Sequence, residues 1–147
     1  MNATLTEKTL NEVLIEQITE LYSVEIQFLR TLPIMAEMAN DPGLKTRFME
    51  YHALAQRQLE RLHQAAELLG ISLAGNHEQP MVILIAKIAH DSTPPGMAKD
   101  AHLLCTAHKV ESYQKAGSVG ICTFAQMLGL DEVTDLLLAP KLGVGVN

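Results

Sequence analysis

The sequence contains no tryptophan, few aromatic residues and no long apolar run. Each of these shortages reduces the number of fold classes that the chain can adopt. Only 4% of its 147 residues are aromatic, whereas 48% are hydrophobic. A core with so few aromatics and so many helix formers predicts an all-α protein, and the length suits a single domain over residues 1–147. The longest apolar run, 81–86, is far shorter than the roughly 20 residues that cross a bilayer, so no membrane segment is predicted.

Basic residues and cysteines are also scarce. The formal net charge is −6, and the absence of a basic stripe argues against a nucleic-acid partner. The two cysteines, Cys105 and Cys122, lie on one predicted helix at a separation of roughly 25 Å, which is too far for a disulfide. Two unpaired thiols and no signal sequence predict a cytoplasmic protein. Both thiols are expected to be buried.

Start and stop signals divide the chain into four helices and a long crossover. Thr9 and Glu12 have the spacing of a capping box, and Gly70 is a natural C-cap. Pro33 lies inside the first helix and is expected to kink or break it. The predicted helices cover about 9–40, 44–70, 97–129 and a short 131–139, and the crossover covers 71–96 with a short helix near 81–89. Such a crossover lets helices 2 and 3 run parallel in a helical bundle.

The fourth helix is expected to be truncated. Pro140, Gly143 and Gly145 interrupt it. An antiparallel fourth helix reaches the height of Glu111 about 18 residues after the preceding turn, roughly at position 147. The shortened helix would leave an apolar seam uncovered. We therefore expect a second copy of the chain to cover that seam in a homodimer or larger homo-oligomer.

Two glutamates occupy positions where a helical core would place apolar residues. Glu25 and Glu111 each lie in a run with alternating spacings of three and four, which places each run on one helix face. The runs are Ile18, Leu21, Glu25, Phe28, Leu32 and Met35, and Leu104, Ala107, Glu111, Gln114, Ser118, Ile121, Ala125 and Leu128. A carboxylate on such a face is costly unless it is paired, protonated or bound to a metal, so each glutamate requires a partner.

Several side chains could supply that partner. His52 is a candidate near Glu25, and His108 lies one turn before Glu111. Neutral hydrogen bonds are available from tyrosine and glutamine side chains. The side chains that could donate these hydrogen bonds are Tyr22, Tyr113, Gln56 and Gln114.

Three stretches of the chain resemble the bacterial YciE/YciF stress-associated family of the ferritin-like superfamily. They are LYSVEIQFLR (21–30), RQLERLHQ (57–64) and HKVESYQKAGSVGICTFAQMLG (108–129). The resemblance implies a helical bundle, generally dimeric, with a two-metal carboxylate site and a poorly defined activity. Such a site takes one Glu from each of two helices and a Glu-x-x-His pair from each of the other two.

Carried over to this chain, the family's ligand pattern is incomplete. Glu25 and Glu111 match the lone glutamates, but the pair on helix 2 falls at Ala53 and Gln56, which offer neither carboxylate nor imidazole. On helix 4 the acidic ligands would fall near Gly143, Val144 and Asn147. The nearby pair Glu60 and His63 lies about 10 Å further along helix 2, and is interpreted as a surface or interface pair.

The sequence therefore predicts a degenerate ferritin-like bundle without an intact two-metal site. In this interpretation the protein is a non-catalytic, stress-related structural or binding protein and no cofactor is expected. The alternative is a metal-binding or iron-oxidising protein with a reduced site. In that case Glu25 and Glu111, with His52 or His108 as further ligands, would hold iron or another divalent metal.

Overall fold

The structure, a computed structural model, describes residues 9–138, and all regular secondary structure in that range is helical. The helices are α1 (Leu10–Met38), α2 (Pro42–Leu69), α3 (Pro80–Ile88), α4 (Met97–Met127) and α5 (Asp131–Leu138). The predicted all-α class is thereby confirmed. The predicted interruptions at Pro140, Gly143 and Gly145 lie outside the described residues, as do the ligand positions near Val144 and Asn147. No helix between residues 9 and 138 combines the length and apolar character that a bilayer span needs.

Local signals in the sequence set the helix ends. Thr9 and Glu12 form a reciprocal capping box at the start of α1. The Asp41 side chain accepts a hydrogen bond from the backbone N–H of Leu44 at the start of α2 (2.9 Å). Gly70 ends α2 with φ of 67°, a left-handed conformation that glycine adopts without a Cβ penalty. The caps predicted at Thr9 and Gly70 are therefore confirmed.

Helix α1 continues through Pro33, so of the kink or break expected there the break is wrong, and the kink stays a prediction. Proline removes one backbone donor, to the carbonyl of Leu29, but leaves the bonds of the flanking turns intact. Leu32 and Met35, on either side, are completely buried. Packing of these turns into the core is sufficient to maintain the helix, since most helical stability in proteins comes from tertiary burial.

Helix α1 lies at the centre of the fold and packs against α2, α3 and α4, while α5 packs against α2 and α4. Val24 and Phe28 belong to a core cluster shared with α2, α3 and α4. Ile18 and Leu21 belong to a second cluster shared with α2, α4 and α5. Glu25 therefore lies where the two apolar clusters meet along α1.

Two polar anchors fix the connections around α4. The Asp100 carboxylate accepts the backbone N–H groups of Asn40 (2.7 Å) and Asp41 (3.0 Å), which joins α4 to the turn between α1 and α2. The Lys99 ammonium donates to the carbonyls of Asp91 (2.9 Å) and Thr93 (2.8 Å), which holds the end of the crossover. These bonds fix the position of the first turn of α4 relative to the rest of the bundle.

The two thiols have different environments. Neither forms a disulfide within the described residues; Cys122 is buried, as predicted, whereas Cys105 is exposed. The prediction was wrong for Cys105 because that position of α4 lines an open recess beside α3.

Candidate functional site

The Glu25 carboxylate is buried and hydrogen-bonded to a side chain from α4. Glu25 is only 1% exposed. Gln114 Nε2 donates to Glu25 Oε1 over 2.6 Å. A hydrogen bond to a charged acceptor is short and about twice as strong as a neutral one. The structure thus confirms Gln114 as a partner of Glu25 and brings together one residue from each of the two predicted seams.

A cavity of about 70 Å³ lies beside this hydrogen bond. That volume is several times the roughly 10–15 Å³ that a single water requires. Helices α1, α2 and α4 supply its lining residues. They are Glu25, Phe28, Tyr51, Leu54, Ala55, Gln58, Arg61, Glu111, Gln114 and Lys115. The two glutamates singled out by the sequence therefore line the same cavity.

The charged residues of the cavity lining balance one another. Glu25 and Glu111 are carboxylates, and Arg61 and Lys115 are cations. Glu111 is half-buried and Lys115 is exposed, so Lys115 lies on the solvent side. Glu111 and Lys115 are one turn apart on α4, a spacing that permits pairing, yet they form no ion pair with any residue in the described range.

Gln58 presents an unpaired polar atom in this cavity. Its side chain is 4% exposed, and its Oε1 accepts no hydrogen bond from residues 9–138. Its Nε2 lies 3.5 Å from the Ser118 hydroxyl, at the limit of a hydrogen bond. A buried amide oxygen without a donor costs about 1–3 kcal/mol. A donor near the Gln58 Oε1 would remove this cost.

Tyr51 adds a phenol to the cavity lining. Burial raises the pKa of the Tyr51 hydroxyl, and the negative charges of Glu111 and Glu50 raise that pKa further, against an opposing effect of Arg47. The phenol therefore stays protonated across the physiological range and can serve as a hydrogen-bond donor.

The predicted histidine partners lie elsewhere. His52 is half-buried and His108 is exposed, and neither lines the cavity. His108 instead lies in a separate recess with Tyr113. A histidine one turn from Glu111 on the same helix is expected to be close to it. At His108, however, the helix face has already turned away from the cavity.

The other ligand positions considered from the sequence also fall outside the cavity. Ala53 is half-buried and Gln56 is exposed, and neither contributes to the lining. Glu60 and His63 are exposed as well. The His63 ring packs edge-on against Tyr22 with a centroid separation of 5.4 Å. The α2 residues that line the cavity include Tyr51, Ala55 and Gln58 instead.

Among residues 9–138, the side chains that line the cavity do not make up the ligand set of a two-metal centre. No group of three or more His, Cys, Asp or Glu side chains between residues 9 and 138 is placed to hold a metal ion. The oxygen-bearing side chains of the cavity are Glu25, Glu111, Gln58, Gln114 and Tyr51, with no imidazole, and two cationic side chains share the same space. Two metals would require carboxylate and imidazole ligands from all four helices.

Sequence reasoning missed Gln58, Arg61 and Lys115. A signal for Gln58 was present, because it continues the spacing of four and three from Tyr51 and Ala55 along α2. Arg61 lies one further turn along the same face. No comparable signal existed for Lys115, because an exposed lysine normally indicates a solvated surface.

Comparison with known proteins places the chain in a family. Residues 9–140 match the family described as "Domain of unknown function (DUF892)". Protein YciF of Escherichia coli (strain K12) is 27% identical over 139 residues, covering 88% of this chain and 80% of YciF. Because the family match spans most of the sequence, the chain belongs to the DUF892 family.

Solved structures share the same bundle. YcfI of Rhodopseudomonas palustris, described as a candidate structural protein, matches with a TM-score of 0.80 and 26% identity, covering 88% of this chain and 84% of YcfI. The crystal structure of the E. coli stress protein YciF matches with a TM-score of 0.77 and 24% identity, covering 89% and 84%. The fold of this chain is therefore the YciF-type helical bundle.

Proposed function

We propose that this member of the DUF892 family is a non-catalytic, stress-related structural or binding protein with a degenerate ferritin-like carboxylate site. One observation carries the proposal: the Glu25 carboxylate is bonded to Gln114 in a cavity that also holds Arg61 and Lys115. The descriptions of YciF as a stress protein and of YcfI as a candidate structural protein support the same class of function.

Protein groups can stabilise these carboxylates without metal. A hydrogen bond to a charged group contributes about 1.5–3 kcal/mol, and Glu25 receives one from Gln114. Arg61 and Lys115 add positive charge to the same cavity, which lowers the cost of removing carboxylates from water. The side chains around Glu25 thus perform the charge compensation that metal ions perform in an intact two-metal site.

The direct test of this proposal is iron oxidation. Ferrous iron is added to the purified protein in air, and oxygen consumption is followed with an electrode. We expect the same rate as in buffer alone, with no change in the Glu25→Gln variant. Stoichiometric oxygen consumption that disappears in Glu25→Gln would contradict the proposal, because it would show that an iron oxidase centre survives.

A second candidate function is binding of one divalent metal ion at a reduced site. The observation that favours it is the convergence of Glu25, Glu111 and the unpaired Gln58 oxygen on one cavity. Oxygen donors of this kind suit hard divalent cations. This candidate predicts that Glu25→Gln and Glu111→Gln each abolish metal uptake in equilibrium dialysis. The exposed Glu60→Gln variant serves as the matched control and should bind as the wild type does.

The proposal includes self-association as a homodimer or larger homo-oligomer. Large apolar side chains are exposed on α2, α4 and α5. They are Leu68, Val119, Met127 and Leu138. Pairing two copies would remove this surface from water. Light scattering at micromolar concentration tests this part, and a monomeric mass would contradict it.

A further inference from the structure

Polar groups of opposite character that have no partner among the described residues line the cavity. After Gln114 has bonded to Glu25, the Glu111 carboxylate and the Gln58 Oε1 remain as acceptors, and the Lys115 ammonium remains as a donor. None of these three groups has a hydrogen bond or ion pair with another described residue. Tyr51 contributes a protonated phenol to the same lining.

The unpaired groups specify the hydrogen bonds that a ligand must make. Gln58 is only 4% exposed and lines the cavity, so a donor group on a bound molecule can satisfy its unpaired oxygen. The Glu111 carboxylate lines the same space and also accepts hydrogen bonds. An ammonium group carries three donors and can satisfy both acceptors at once. Lys115, which is exposed at the solvent side of the same cavity, offers its ammonium to an anionic group on that ligand.

The charge balance of the cavity favours a ligand without net charge. The two carboxylates and two cations of the lining cancel, so a simple cation or a simple anion would leave an excess charge in a partly desolvated space. A zwitterion adds no net charge and presents opposite charges to Glu111 and to Lys115. The cavity therefore complements a molecule with an ammonium and a carboxylate group.

The remaining wall of the cavity is apolar. Phe28, Leu54 and Ala55 supply it, and the Phe28 ring lies 6.5 Å from the Tyr51 ring between centroids. A volume of about 70 Å³ accommodates a small molecule. An alkyl side chain packed against this wall would gain free energy from burial, whereas a second charged group would lose hydration without a partner.

We propose that the cavity binds a small zwitterion with the chemistry of an α-amino acid that carries a short apolar side chain. In this arrangement Glu111 and Gln58 receive the ammonium group, Lys115 receives the carboxylate, and Phe28 contacts the side chain. The inference rests on the proposed function, because it requires Glu25 and Glu111 to be free of metal.

Calorimetric titration of the full chain with L-alanine tests the inference. Ethylammonium chloride and sodium propionate, each carrying one half of the zwitterion, are titrated in parallel. We expect L-alanine to bind about tenfold or more tightly than either half-ligand, because it combines the charged hydrogen bonds of both. Glu111→Gln and Lys115→Met should each weaken L-alanine binding by a similar factor.

Matched controls separate binding from folding. Glu60→Gln and Lys87→Met change exposed charges outside the cavity and should leave the affinity unchanged. Melting curves of every variant establish that it is folded. Gln58→Leu provides a second test, because it removes the unpaired oxygen without emptying the cavity wall, and it should also weaken binding.

Two outcomes would overturn the inference. Ethylammonium binding as tightly as L-alanine, with no effect of Lys115→Met, would show a site for cations. The absence of binding by any of the three compounds would show that water alone satisfies these groups. Metal analysis of the ligand-free protein distinguishes failure of this inference from failure of the proposed function. A metal-free protein that does not bind L-alanine refutes only this inference. Protein isolated with iron bound at Glu25 and Glu111 refutes the proposed function.

Discussion

Gln114 of α4 and Glu25 of α1, 89 residues apart in sequence, are joined by a 2.6 Å hydrogen bond between amide and carboxylate. The bond lies where the two apolar clusters of the core meet. It explains how a glutamate that is 1% exposed is accommodated on an otherwise apolar helix face. Because of this hydrogen bond, the Glu25 carboxylate is stabilised by a side chain of the bundle itself.

Removing the Gln114 amide should destabilise the fold. The Gln114→Leu variant leaves a buried carboxylate without this donor, and we expect a loss of about 1.5–3 kcal/mol in the free energy of unfolding. Urea denaturation measures the change. Gln126→Leu, an exposed position on the same helix, is the control and should change stability by less than about 0.5 kcal/mol. Equal stabilities of the two variants would contradict this role of Gln114.

The Tyr51 phenol should report the charge of Glu111. Burial and then the Glu111 carboxylate raise the pKa of Tyr51, so Glu111→Gln should lower that pKa toward its ordinary value. Ultraviolet absorbance titration of the tyrosines, with Tyr51→Phe to assign the signal, measures this. Burial and then Glu20 raise the pKa of Tyr113, which should therefore remain unchanged. A constant Tyr51 pKa in Glu111→Gln would refute the proximity of the two groups.

The Asp91 carboxylate should contribute stability that is lost in acid. Loss of hydration raises its pKa, but hydrogen bonds from Thr93 and the contact with His102 at 3.2 Å outweigh that effect and hold the pKa below 3.8. A carboxyl whose pKa is lowered by folding stabilises the protein at pH values above its unfolded-state pKa. This stabilisation disappears as the pH falls through the folded-state pKa. Asp91→Asn should therefore be less stable than the wild type at neutral pH.

The pH dependence provides the test for Asp91. Denaturation midpoints of the wild type and Asp91→Asn, measured from neutral pH downwards, should converge as the pH drops below 3.8. A difference that stays constant over the whole range would show that the charge of Asp91 is not responsible.

The Asp100 carboxylate should be required to hold the turn between α1 and α2. It accepts two backbone N–H groups, from Asn40 and Asp41, and Asp100→Ala leaves both without this acceptor. We expect a loss of about 2 kcal/mol, with faster amide hydrogen exchange confined to that turn. Asp135→Ala, at an exposed position of α5, should show neither effect. Unchanged exchange at Asn40 in Asp100→Ala would contradict the anchoring role.

The helices and the seam of α1 were predictable from the sequence because burial follows helical periodicity. All six positions of the seam from Ile18 to Met35 are buried, including Glu25. Periodicity also identified Gln114 as a possible donor, since it shares the seam of Glu111. The continuity of α1 at Pro33 was not predictable in this way, because it depends on how firmly the flanking turns pack.

The composition of the cavity could be predicted only in part. The two glutamates were identified because acidic residues on a core face are unusual. The cationic neighbours Arg61 and Lys115 were missed because long side chains reach sites that depend on how the helices pack. His108 was considered as a partner of Glu111 because the two residues are three positions apart on one helix. That spacing brings two side chains near each other, but it does not direct both of them into one cavity.

The most direct measurement of the central claim is the metal content of the protein by elemental mass spectrometry. Protein from iron-supplemented cells is compared with the Glu25→Gln, Glu111→Gln double variant prepared in the same way. If polar groups of the chain compensate these carboxylates, both samples should contain no stoichiometric metal. About two irons per chain in the wild type, absent from the double variant, would contradict the claim, because an intact two-metal site of this class holds two ions.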